Sequence, residues 1–429
     1  MSLAVVGALS LLGLAAGLLR PRMGWLWLIL ASVLVEVLHA FSPGVSQYGP
    51  WVGVFIGIFA AELVNWRLWL SHLRTSRRYF WWVALYLAAL IVATIFGIDL
   101  RVSMRYALGV PAVLWVATLY LPQIARSGSV TEQKLAQSWA LVGVLMTLTA
   151  GLGALIFHSG FPVPVGHRII LAWQWPFANK NTLGMLMTFA VPAAFGLIFY
   201  PGQLWGGRWP ATVMAIIVIV GDALSYARSG WIASLIGMAV FVLAYFGRRG
   251  FLGMAIGLPI AAVALVMKTG IRRWTLLWDK GLNGRTILWR AGLKALQHRW
   301  LFGVGPGNSP QAILPYVPRA YAGLTPHDSI LRTAVELGIV GLMIWLVIVV
   351  GSVLKSGQDF WLSREGSVTR WNTSIIMALL LATLAQQMVE SLFLGGVSFG
   401  DFFFTILVGW VWFVNRPARS PYRGAPDRR

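Results

Sequence analysis

The chain has 429 residues, of which 58% are hydrophobic and 11% charged, whereas soluble domains run near ~45–50% apolar and ~25% charged. This balance excludes a soluble globular enzyme and a disordered chain, and the lack of any cysteine excludes a disulfide scaffold and a cysteine-ligated zinc finger. A net charge of +21, from 34 Lys and Arg against 13 Asp and Glu, would suggest nucleic acid in a soluble protein; here it must first be divided between two membrane faces. A bilayer core needs about 20 apolar residues per helix, and the apolar runs are too long and unbroken for the alternation of a barrel strand. In chain order the predicted spans are 2–19, 24–41, 50–66, 79–97, 105–121, 137–157, 182–200, 211–226, 231–246, 251–267, 330–354, 372–394 and 398–414.

The expectation is therefore an all-α polytopic integral membrane protein with about 12, or possibly 13, transmembrane helices. Residues 1–267 form an N-terminal transmembrane bundle, 268–329 one long hydrophilic loop, 330–414 the C-terminal transmembrane helices and 415–429 a basic tail. No internal repeat is evident. The first span has no charged segment before it and no convincing cleavage site after it, so a removable signal peptide is not expected.

Orientation follows from the short loops. Alternate loops hold 19 basic residues, among them Arg74, Arg77, Arg78, Arg248, Arg249, Arg364 and Arg370, while the opposite short loops hold five: Arg101, Arg105, Arg168, Lys180 and Arg228. The rich set is expected in the cytoplasm, which places the long loop and the five sparse positions on the outside. The long loop is itself basic, with Lys268, Arg272, Arg273, Lys280, Arg285, Arg290, Lys294, Arg299 and Arg319 against Asp279 and Asp328. Long loops are exported regardless of charge. Such a loop fits a solvated surface resting on anionic headgroups; it fits equally a site for phosphate or diphosphate, whose oxygens match the planar fork of arginine.

Three further pieces return to that face. Asn179, Lys180 and Asn181 open the span at 182, where a capped helix start with a lysine makes an anion seat. Asp222 and Arg228 flank the end of the span at 211–226, and ionisable groups at such depth are functional candidates by default. His327 and Asp328 precede the span at 330–354, with Arg332 just inside it, and a neutral imidazole in cationic surroundings suits a general base. Outward carboxylates are few: Asp99, Asp279 and Asp328 in loops, and Asp222, Glu336 and Glu390 in or near spans. No Asp-x-Asp, HExxH, P-loop or GxSxG is present. Gly303-Val304-Gly305-Pro306-Gly307 reads as a turn that lets backbone approach a ligand. Arginines with one histidine suit a metal-free transfer in which a diphosphate leaves and the histidine takes the proton of the attacking hydroxyl.

From Phe177 to Gly341 the chain resembles the bacterial O-antigen ligase and polymerase family of polytopic glycan transferases. The resemblance rests on Phe177-x-Asn179-x-Asn181-x-x-Gly184, the Arg228 turn, Arg285-x-x-x-Trp289 leading to Gly303-x-Gly305-x-Gly307, and His327-x-Ser329-x-x-Arg332-x-x-x-Glu336-Leu337-Gly338-x-x-Gly341. It implies a GT-C-like fold in the bacterial inner membrane and transfer of a glycan from undecaprenyl diphosphate at the periplasmic face, without metal, nucleotide or other cofactor. The implied partners are the carrier-linked donor, a lipid A–core or glycan acceptor and membrane lipid, with no nucleic acid. By resemblance Arg228 and Arg285 are the diphosphate-binding arginines and His327 the base on the acceptor hydroxyl; Asn179, Lys180, Asn181, Arg290, Asp328 and Arg332 are expected to line the substrate. The chain departs from the family at Ala227-Arg228-Ser229-Gly230, where Ser-Arg-Gly is usual, and at Asp328, where Asn is usual. A ligase acting on lipid A–core is the leading reading and a polymerase its rival, with transfer to a protein hydroxyl as a third. A transporter or flippase of an anionic lipid-linked substrate should show internal repeats and mid-membrane charges, and neither is evident.

Overall fold

The computed structural model describes residues 77–126, 130–165, 168–177, 179–204, 207–269, 284–392 and 398–414, with 29, 55, 59, 128, 394 and 396 as single positions. Apart from 29, 55 and 59, the predicted spans at 2–19, 24–41 and 50–66 lie outside the described residues, as do the segment 270–283 and the tail 415–429. Among the described residues the chain is helical apart from one two-stranded hairpin. Seven of the described helices are long and apolar enough to cross a membrane, and two shorter apolar helices, Phe80–Ile95 and Gly400–Val414, accompany them. The chain is a multi-pass membrane protein.

In chain order the helices are α1 (Arg77–Ile95), α2 (Leu100–Trp115), α3 (Glu132–Ile156), α4 (Lys180–Ile198), α5 (Arg208–Ser225), α6 (Arg228–Thr269), α7 (Arg285–His298), α8 (Ser329–Trp361), α9 (Val368–Gln387) and α10 (Phe399–Gly409). Their starts carry the expected caps: Asp99, Thr131, Asn179, Asp328, Ser367 and Ser398 each accept a backbone N–H of the first turn. Beyond Trp115, α2 widens into a π turn over Val116–Tyr120 before resuming to Arg126. The hairpin β1 (Phe161–Val165) and β2 (Arg168–Ala172) pairs Phe161 with Ala172 and Val165 with Arg168.

The core lies around α4, which packs on α3, α5, α6 and α9. Between membrane helices there is no water to expel, so association rests on close van der Waals packing, and small residues permit it. An added Cβ on Gly143 would overlap Ala190, and one on Gly230 would press within 2.8 Å of the Gly184 carbonyl oxygen. Trp139, Phe189 and Phe403 fill the space between α3, α4 and α10, with ring centroids 5.6–5.8 Å apart. At the end of the bundle away from the site, the Arg370 guanidinium stands 3.5 Å from the centre of the Phe360 ring and donates to the carbonyls of Ala244 and Phe360, both at 3.0 Å. There α6 breaks at Gly247 (φ 57°, ψ −130°), beside Arg248 and Arg249, where the sequence predicted a turn between two spans.

The span predicted at 330–354 is interrupted: α8 breaks at Gly338 (φ 69°, ψ −174°), which sets its first part, Ser329–Leu337, off from the rest. The glycine-rich segment fills the break. Val304 N donates to Val335 O at 2.9 Å, Gly305 N to Glu336 O at 3.0 Å and Ile339 N to Trp300 O at 2.8 Å. Gly303–Gly307 is therefore not a turn offering backbone to a ligand but a strip that satisfies the groups freed by the kink. An added Cβ at Gly338 would overlap the Leu301 carbonyl, and its positive φ penalises any L side chain. Gly338→Ala is expected to destabilise the protein by about 1–3 kcal/mol, the cost of one forced backbone conformation, seen as a lower unfolding temperature in detergent. An unchanged melting curve would show that the kink does not constrain the fold.

Candidate active site

The ends of α1, α3, α5 and α9 and the starts of α2, α4, α6, α8 and α10 meet at one end of the bundle. The contacts there are long in sequence: Ile98 N donates to Val304 O at 2.9 Å, Trp173 N to Leu224 O at 2.8 Å, Arg299 Nη1 to Phe96 O at 2.6 Å and Asn308 Nδ2 to Asp99 O at 3.2 Å. The loop regions that the charge count grouped together thus share one end.

The arginine turn is built first. Tyr226 closes α5 in the left-handed region (φ 51°), and Ala227 N donates to Ser225 Oγ at 3.1 Å, which sends the chain straight into α6 at Arg228. Lys180 Nζ donates to Tyr226 O at 3.0 Å and Gln386 Nε2 to Ser229 Oγ at 3.3 Å, tying α4 and α9 to the turn. The positive charge of Arg285 acts unfavourably on Arg228. Two guanidinium charges in one site favour an anion there.

Glu390, just beyond α9, is the centre of the arrangement. Its Oε1 accepts from Arg285 Nη2 at 2.6 Å and from Asn181 Nδ2 at 3.1 Å, and its Oε2 lies 3.3 Å from His327 Nδ1. Side-chain exposure is 13% for Glu390, 15% for Arg285 and 31% for His327, so the imidazole is the most open of the three. Arg285 Nε and, one turn further along α7, Trp289 Nε1 are buried N–H groups without a hydrogen-bond partner among the described residues. Residues four apart share a helix face, so two unused donors point to one side.

His327 occupies the left-handed region (φ 52°), uncommon for a non-glycine residue though more frequent for histidine than for most. The backbone around it is pinned on both sides. Asp328 caps the following helix, accepting from Leu331 N at 2.7 Å, and burial pushes its carboxyl above the usual range despite the N–H groups of Leu331 and Ile330. Ser329 Oγ donates to Glu390 O at 3.1 Å and accepts from Leu392 N at 2.8 Å, which holds the histidine turn against the segment carrying Glu390.

The structure thus brings together His327, Arg228, Arg285, Lys180 and Asn181, with Asn179 as the cap of α4 accepting from Asn181 N at 2.9 Å. The other expected residues stand elsewhere. Arg332, predicted to line the substrate, is 7% exposed and turned inward: its Nε donates to Glu336 Oε1 at 2.9 Å. Glu336 is fully buried, also accepting from Ser309 Oγ at 2.6 Å and Gly307 N at 2.9 Å, so the pair locks the glycine strip to α8. Asp328, expected to line the substrate, spends one oxygen on the helix cap. Arg290 is exposed on α7, about 140° around the helix from Arg285 by the 100° step per residue. Glu390 itself was visible in the sequence as one of few carboxylates near a span end, without any sign of its partners.

A polar, arginine-bearing site at one end of a multi-pass helical bundle, with an accessible imidazole backed by a carboxylate, has the groups to hold an anion and to accept a proton. Residues 213–346 match the family model described as O-antigen ligase, which bears out the resemblance over that stretch; the Phe177–Gly184 motif lies outside it. That family includes O-antigen ligases and polymerases, both glycosyltransferases acting on lipid-linked glycans. Comparison with curated proteins gives no match. The matched segment contains Arg228, Arg285, His327 and Glu336, whereas Asn181 and Glu390 lie outside it.

Proposed function

We propose that the chain is an O-antigen ligase that moves a glycan from undecaprenyl diphosphate to a sugar hydroxyl of lipid A–core at the periplasmic face of the bacterial inner membrane. The observation that carries this reading is the convergence of Arg285, Asn181 and His327 on Glu390, beside the Arg228 turn. It sets an anion seat and a base side by side, as transfer from a diphosphate carrier requires.

In this reading Arg228 and Arg285 take the donor diphosphate, and the unused N–H of Arg285 and that of Trp289 face the same ligand. His327 Nε2 accepts the proton of the acceptor hydroxyl as its oxygen attacks the anomeric carbon. The carbon–oxygen bond to phosphate breaks, its electron pair leaves with undecaprenyl diphosphate, and a single displacement inverts the anomeric centre. Charge develops on the leaving diphosphate, where permanently charged guanidiniums stabilise it. Lys180 and Asn179 shape the rim of the site, while Arg332 and Glu336 support it from within.

The test is reconstitution. Purified protein supplied with carrier-linked glycan and rough lipopolysaccharide should yield glycan joined to lipid A–core; lengthening of the carrier-linked glycan alone would make the protein a polymerase. Because guanidiniums carry the leaving-group charge here, EDTA is expected to leave the rate unchanged. Loss of activity with EDTA that magnesium restores would refute the metal-free mechanism.

A further inference from the structure

Glu390 joins the donor and acceptor halves of the site through different oxygens. Oε1 engages Arg285 and Asn181, at 2.6 and 3.1 Å, and Oε2 faces His327 Nδ1 at 3.3 Å. A carboxylate on one imidazole nitrogen selects the tautomer with the proton there and leaves the other nitrogen as the acceptor. The same carboxylate fixes one end of the Arg285 fork while its Nε stays unused. The backbone of the 390 segment is in turn clamped to the histidine turn through Ser329, and Thr325 Oγ1 donates to Ser391 Oγ at 3.4 Å.

We propose that Glu390 is the positioning residue of the transfer: through one side chain it holds His327 with Nε2 toward the acceptor and Arg285 toward the donor diphosphate. This rests on the glycan-transfer reading and assigns Glu390 a role in it.

Glu390→Gln, of the same shape, is expected to lower kcat about 10- to 100-fold, the range for losing a group that orients a histidine through its second ring nitrogen. In a His327→Asn background the same change should lower the residual rate far less, because the side chain it orients is gone. Glu390→Asp keeps the carboxylate and should recover part of the lost kcat; it also serves should the glutamine variant fail to fold. A folded glutamine variant with wild-type kcat, or a loss of the same size with and without His327, would overturn the proposal. Activity that survives removal of His327 would instead bring down the base mechanism. Inactive His327 variants beside a glutamine variant of wild-type kcat would remove only the role of Glu390.

Discussion

Replacing His327 by alanine is expected to lower kcat about 10²- to 10⁴-fold, the range supplied by a positioned general base, while donor binding stays near that of the wild type. The asymmetry follows from the geometry. The imidazole is the most exposed member of its cluster, whereas the arginines assigned to the donor are held by other elements. A structural artefact is the main rival explanation for a dead variant here, because position 327 has a positive φ that alanine tolerates poorly. His327→Asn answers it: asparagine accepts left-handed backbone more readily but cannot serve as a base near neutral pH. Both variants should be inactive, and the asparagine one should melt close to wild type. Single-turnover rates with saturating donor would decide the matter, and wild-type-like turnover in either variant would remove the histidine from the mechanism.

How far the sequence foretold this site can be judged residue by residue. Hydropathy located the described spans, since a bilayer dictates length and apolarity locally, but not all their ends: the span predicted at 330–354 runs on to Trp361 and the one at 372–394 stops at Gln387. The break at Gly247 was legible because two arginines follow it. The break at Gly338 was not, because Leu337-Gly338-Ile339-Val340-Gly341 reads as continuous apolar helix and only the docked strip at 303–307 makes a kink stable. His327, Arg228 and Arg285 stand out by residue type and setting, and motif resemblance supplies the roles proposed for them. Arg332, expected at the substrate, is taken inward by Glu336 one turn away on its own helix. Glu390 could be seen but not assigned: its partners lie 63, 105 and 209 residues away in sequence, and no local pattern reports such contacts.

Arg285→Lys is expected to cost about 10²-fold or more in kcat, comparable to deleting one donor of a charge-stabilising cluster. Position 285 opens α7 immediately after Gly284 in the left-handed region, so the guanidinium projects from a fixed helix start. One terminal nitrogen is occupied by Glu390 at 2.6 Å, while Nε remains unused and Trp289 Nε1 stands one turn further on the same face. A lysine at 285 keeps the charge and can keep the ion pair with Glu390. It cannot engage that carboxylate and a phosphate oxygen through two fixed N–H directions at once, because an ammonium is a point charge on a flexible stem. The variant therefore separates net charge from fork geometry. Near-normal activity would mean that the site works by bulk electrostatics alone, and rate loss that high donor concentration fully relieves would assign Arg285 to ground-state binding. A fall in kcat that excess donor does not relieve is the expected result, because the fork must grip the diphosphate most tightly as its bond to the sugar breaks.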